Sequence, residues 1–175
     1  MNITINKMEK LRDYFAGLDK VIKNHSKFHS EFVSVPWMVA GGFIRDVLLD
    51  RKPSDVDIIV KDYNSFNLDW KYMDDDGKYD QCDVECVADC GEFGGLPLQF
   101  IMRNTAWGVS NTFEYHLLGL SNVAWFEGDL IISGEFIQSA ADEKLYINCY
   151  DRYNTRDNSD YISKIQKKYP WKVCP

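Results

Sequence analysis

Between Trp37 and Val60 the chain reads WMVAGGFIRDVLLDRKPSDVDIIV, and this stretch constrains the fold more than any other. An apolar run over 37–40 ends at Gly41-Gly42, and a short segment from Phe43 to Leu49 carries Arg45-Asp46. The connection Arg51-Lys52-Pro53-Ser54 then leads to Asp55 and Asp57, at the head of a second apolar run that closes at Val60. The pattern predicts strand, glycine turn, short helix, strand. Two carboxylates two positions apart on a strand point to the same face of a sheet. The glycines let backbone approach a phosphate with no Cβ in the way, and the start of the following helix offers unpaired N–H groups. Asp-x-Asp or Gly-Gly alone is a routine loop signal; their order and spacing give the combination its meaning. A carboxylate pair beside such a turn is suited to holding divalent cations against a triphosphate.

The segment resembles the head motif of the polymerase-β-like nucleotidyltransferase superfamily, above all the branch of CCA-adding enzymes and bacterial poly(A) polymerases. Gly41, Gly42, Arg45, Asp46, Asp55 and Asp57 stand in the places of that motif. The resemblance implies an α+β nucleotidyltransferase palm, a mixed or mostly antiparallel sheet of about five strands with helices packed on one side. It implies transfer of NMP from an NTP to a hydroxyl acceptor, first among them an RNA or tRNA 3′ end. Two Mg2+ ions, with Mn2+ as a substitute, would be held by Asp55, Asp57 and a third acid. In the CCA-adding branch that acid is often a Glu on a neighbouring strand, but the similar run here, Leu98 to Arg103, carries Gln99. Phage and viral members instead show Gln and an apolar pair followed by Phe-Asp or Phe-Glu. Gln99-Phe100-Ile101 and Phe113-Glu114-Tyr115 fit that form and assign Glu114 as the third carboxylate, with Asp83, Glu85 and Asp89 in reserve.

By the same resemblance Gly41, Gly42, Arg45, Asp46, Ser54 and Lys144 are nucleotide-binding candidates. Arg152 and the Lys168-Tyr169 pair also match the tail of the phage-encoded members. Arg45-Asp46 has two readings, a nucleotide contact or a brace for the turn. Acceptors other than RNA are a protein hydroxyl, as in toxin-like nucleotidyltransferases, and a small molecule. The contrasting reading is a nucleotide- or partner-binding module that has lost its third acid.

Composition narrows the setting. A chain of 175 residues, 45% apolar and 14% aromatic, suits one folded domain. A net charge of −7 argues against a protein that coats nucleic acid through a broad basic face, and no DNA partner is expected. No apolar run is long enough to span a membrane, so a cytoplasmic setting is expected, the host cytoplasm for a phage protein. The five cysteines, an odd number, predict free thiols in a reducing compartment, and Cys82, Cys86 and Cys90 would align on a helix face.

The expected layout is an N-terminal helix within 1–30, a palm core over 36–133 with a polar insertion at 62–95, and C-terminal helices over 134–170. Strands are expected at 37–40, 55–60, 96–102 and 113–118, with a hairpin of 123–126 and 130–133 around Glu127-Gly128. Helices are expected near 5–24, 136–146 and 161–169. The run Asp74-Asp75-Asp76-Gly77 reads as a solvated loop and His25 and His29 as loop residues, while Trp107, Trp125 and Trp171 are expected at or near the core.

Overall fold

The computed structural model describes residues 4–24, 36–61, 69, 71–72, 84–103, 108–114, 116–148 and 159–175. Helix α1 (Ile5–Asn24) buries Leu11, Phe15, Leu18 and Ile22, the alternating three- and four-residue spacing of one helical stripe. Strand β1 (Trp37–Ala40), helix α2 (Gly42–Leu48) and strand β2 (Val56–Val60) follow as the glycine-turn motif predicts. Then come β3 (Lys71–Tyr72), β4 (Val84–Phe93), β5 (Leu96–Arg103) and the short helix α3 (Val109–Glu114). The hairpin β6 (Val123–Phe126) and β7 (Asp129–Ile132) precedes α4 (Gly134–Asp142), β8 (Lys144–Tyr146), α5 (Ser159–Lys168) and β9 (Lys172–Cys174).

Among the described residues seven strands form one mixed sheet in the order β3-β4-β5-β2-β1-β6-β7, two more than the count of about five. Within it only β2 and β5 run parallel; the other neighbours are antiparallel. A separate parallel pair, β8 with β9, brings the two sides of α5 together.

Strand alternation divides the core. Val39, Val56, Ile58, Val60, Leu98 and Phe100 face one side and join the buried residues of α1, α2, α4 and α5. Phe15 stacks on Trp125 with ring centroids 4.9 Å apart, tying α1 to β6. On the opposite face Met38, Ala40, Ile59 and Ala124 pack with Val109 and Phe113 of α3. Helices therefore cover both faces, not one, although α3 covers the second only in part. Asp57 shares this second face because it alternates with Val56 and Ile58.

Four expectations change. The segment from Phe113 begins inside α3 rather than in a strand, because Val109 and Phe113, four apart, both reach the patch around Met38. The polar region before Gly95 contains a ten-residue strand, β4, whose Cys86, Val87 and Ala88 are buried. Cys86 and Cys90 are free thiols on that strand, not on a helix. The helix expected over 136–146 ends at Asp142; Glu143 turns through positive φ and Lys144–Tyr146 is β8. Trp125 is buried and Trp171 half-buried. His25, His29, Asp74 to Gly77, Cys82, Asp83, Trp107 and Arg152 lie outside the described residues.

Candidate functional site

The register places the glycine turn beside the acids. Val39 pairs with Ile58, so β1 ends at Ala40 next to the start of β2, where Asp55 and Asp57 stand. Gly41 has φ 77° and ψ −120°, a conformation that L side chains rarely adopt. A Cβ there would also meet the His116 ring 3.4 Å away. His116 is placed by its Nδ1 contact with Asn122 Oδ1 at 3.3 Å and by its carbonyl, which accepts from Asn148 Nδ2.

An open cleft of about 490 Å³ lies at this end of the sheet. One side is formed by Gly42, Arg45, Asp46, Ser54, Asp55 and Asp57. The other is α5, which contributes Tyr161, Lys164, Ile165, Lys167 and Lys168. The structure thus brings together Gly42, Arg45, Asp46, Ser54, Asp55 and Asp57 from the sequence-derived set. Gly41 adjoins the cleft without lining it, and Lys144, on β8, is not among the lining residues.

Arg45 and Asp46 form the junction between the two walls. Asp46 is 2% exposed, and three donors converge on it. Arg45 Nε donates to Oδ1 at 2.9 Å, Tyr169 Oη donates to the same oxygen at 2.6 Å, and Lys168 Nζ pairs with Oδ2. Arg45 also reaches Ser121 Oγ through Nη1 at 3.2 Å and lies over the Tyr169 ring, 5.3 Å from its centroid. Burial opposes the Arg45 charge, but Asp46, Tyr161 and Tyr169 more than offset it, leaving the guanidinium pKa above its ordinary value. Burial, then the hydrogen bond to Asp46, push the Tyr169 phenol up, against the opposing pull of Arg45. Through these contacts the pair ties the end of α5 to α2.

Lys168 Nζ also lies 3.5 Å from Ser54 Oγ, which sets a cation close to the two acids. Of the α5 lysines only Lys168, with Tyr169, was singled out in the sequence by the resemblance, while Lys164 and Lys167 were not. Tyr161, Lys164 and Lys168, spaced by three and four, were the available sign that they share a face.

Asp57 lies in register with Gln99 of β5, and Gln99 with Asp89 of β4. The three therefore occupy one row on one face of the sheet. Gln99 Nε2 donates to Asp89 Oδ1 at 3.2 Å, so a neutral amide fills the position next to Asp57, and the acid sits one strand further out. Neighbouring strands are roughly 4.8 Å apart, which puts Asp89 nearly two spacings from Asp57. Glu114 is exposed at the last position of α3 and does not line the cleft. Among the described residues no three His, Cys, Asp or Glu side chains are grouped to hold a metal ion, so the expected triad of Asp55, Asp57 and Glu114 is not assembled. Asp55 and Asp57 both line the cleft, and Mg2+ commonly takes one or two carboxylates, completing its shell with water and phosphate oxygens.

Fold and cleft together define an α+β architecture with a two-walled cleft at one end of a mixed sheet. No protein-family model matches the chain, and no curated protein does. Solved structures do. A CCA-adding enzyme in an apo form matches with TM-score 0.59 at 18% identity, over 98% of this chain and 42% of its own. The Thermotoga maritima CCA-adding enzyme complexed with tRNA matches with TM-score 0.59 at 18% identity, over 100% of this chain and 44% of its own. A CCA-adding enzyme in complex with CTP matches with TM-score 0.60 at 16% identity, over 100% and 44%. At these identities the likeness establishes the fold, which this chain shares with part of each of those structures. This chain spans less than half the length of each of these structures.

Proposed function

We propose that this chain is a metal-dependent nucleotidyltransferase that moves NMP from an NTP to a hydroxyl acceptor, with an RNA 3′ end as the acceptor. The observation that carries the reading is the cleft itself, which sets Asp55 and Asp57 on the sheet opposite the lysines of α5. The fold neighbours complexed with tRNA and with CTP support the choice of RNA and nucleotide as ligand classes.

In this reading Asp55 and Asp57 hold Mg2+. Bound there, the ion would neutralise phosphate charge and polarise the transferred phosphoryl group. The chain's own contributions are positional. Gly42 and Ser54 line the phosphate side of the cleft, and Gly41 gives the turn a conformation that keeps it beside the acids. Asp46, through Lys168 and Tyr169, fixes the distance between the two walls. Pre-positioning of this kind is the larger part of what a protein supplies to phosphoryl transfer, whose chemistry requires little covalent participation.

The test is incubation with Mg2+, each labelled NTP, and total RNA or total protein, followed by ribonuclease or protease digestion. Label lost to ribonuclease supports the RNA acceptor. Label lost only to protease replaces it with a protein hydroxyl. Asp55→Ala with Asp57→Ala abolishes labelling; unchanged labelling rejects the assignment.

Gln99 beside Asp57, together with Glu114 on α3, favours a second reading, a nucleotide-binding module without transfer. It predicts NTP binding that depends on Asp55 and Asp57 and no labelled product with any acceptor.

A further inference from the structure

The cleft presents both signs of charge. Asp55 and Asp57 would repel a bare anion, and Lys164, Lys167 and Lys168 would repel a bare cation. A phosphate chain carrying a divalent cation satisfies both walls at once, with its metal toward the acids and its oxygens toward the ammonium groups. Tyr161, Lys164 and Lys168 lie on one stripe of α5, while Ile165 and Tyr169 are buried and hold that stripe to the body. Lys168 is held by Asp46 beside Ser54. Lys164 is exposed at the cleft and is tied to no acid among the described residues. A volume of about 490 Å³ falls within the range of small-ligand pockets.

We infer that α5 is the polyphosphate-binding wall of this cleft, with Lys164 donating directly to phosphate oxygens and Lys168, fixed by Asp46, providing the second positive charge. The inference rests on the reading of the cleft as a nucleotide site and adds to it which residues take the phosphates. It assigns the role to α5 rather than to Lys144, which lies on β8 outside the cleft lining.

The experiment is calorimetric titration, in Mg2+, of the wild type, Lys164→Ala and Lys164→Arg. The ligands are the four NTPs, then the NDP, NMP and nucleoside of the one that binds tightest. A hydrogen bond to a charged group lost from the phosphate chain weakens NTP binding to Lys164→Ala by about 10- to 100-fold. NMP binding changes by less than about 3-fold, and Lys164→Arg stays within about 3-fold of the wild type for every ligand. The unfolding midpoint of Lys164→Ala is unchanged, because the side chain is exposed. Lys164→Ala that leaves NTP affinity intact, or weakens NTP and NMP equally, overturns the assignment to α5. A wild type that binds no NTP overturns both this inference and the nucleotide reading. NTP binding that responds to Lys164→Ala, with no transfer to any acceptor, leaves this inference standing and removes only the transferase.

Discussion

Replacing Asp46 by Ala removes the acceptor of three donors at once, and the size of the effect follows from what is left behind. Arg45 is 5% exposed, with Asp46 as its ion-pair partner. Deleting one member of a buried ion pair typically destabilises by about 3–5 kcal/mol, because the remaining charge stays buried without compensation. For a chain of this length 1 kcal/mol corresponds to roughly 2–4 °C in Tm, so Asp46→Ala lowers Tm by about 6–20 °C. Tyr169→Phe is the graded control. It removes one hydrogen bond to a carboxylate, worth about 1.5–3 kcal/mol, but leaves the Arg45–Asp46 pair intact. Thermal unfolding followed by far-UV circular dichroism gives both values. Amide exchange then locates the damage: protection of α5 falls before that of β2 and β5, since α5 loses its tie to α2. A Tm for Asp46→Ala within about 2 °C of the wild type, with α5 protection unchanged, would refute the role of this carboxylate in tying α5 to α2.

Alkaline stability reports the same contacts. Burial pushes the Tyr14 phenol up to about 12 and raises that of Tyr169, whose hydrogen bond to Asp46 adds to the shift. Both pKa values lie above the ordinary value of roughly 10, so the folded chain keeps protons that the unfolded chain releases. Stability is therefore full below about pH 10 and declines above it; Tyr169→Phe makes the decline in urea midpoint shallower, and identical slopes would contradict this. Gly41→Ala forces a side chain into positive φ beside His116 and destabilises by about 1–3 kcal/mol, measured by urea unfolding; an unchanged midpoint would mean the turn relaxes freely. Lys144→Ala leaves NTP affinity within about 2-fold in the calorimetric series, and a loss comparable to that of Lys164→Ala would return the phosphate role to β8.

The head motif was legible because its information is local. The spacing from Gly41 to Asp57 specifies strand, turn, helix and strand, and β1, α2 and β2 follow it to within a residue or two. The hairpin around Glu127-Gly128 and the amphipathic α1 were readable for the same reason. What was not legible depends on distant partners. Helix α3 is decided by the apolar patch of Met38, Ala40, Ile59 and Ala124, which no window around Phe113 contains. Strand β4 has a polar sequence because Asp89 and Glu92 are exposed, yet its pairing with β5 buries Cys86, Val87 and Ala88. The α5 wall rests on contacts to Asp46 from residues more than a hundred positions away. Spacing within α5 indicated which residues share a face, but not what the face looks onto.

The most direct test of the Asp55–Asp57 cleft as a nucleotide site is a crystal structure of the chain with Mg2+ and a non-hydrolysable NTP. The phosphate chain is expected in the cleft between β2 and α5, with metal on Asp55 and Asp57 and a phosphate oxygen within hydrogen-bond distance of Lys164 Nζ. A nucleotide bound elsewhere, with the cleft holding neither metal nor phosphate, would contradict that reading.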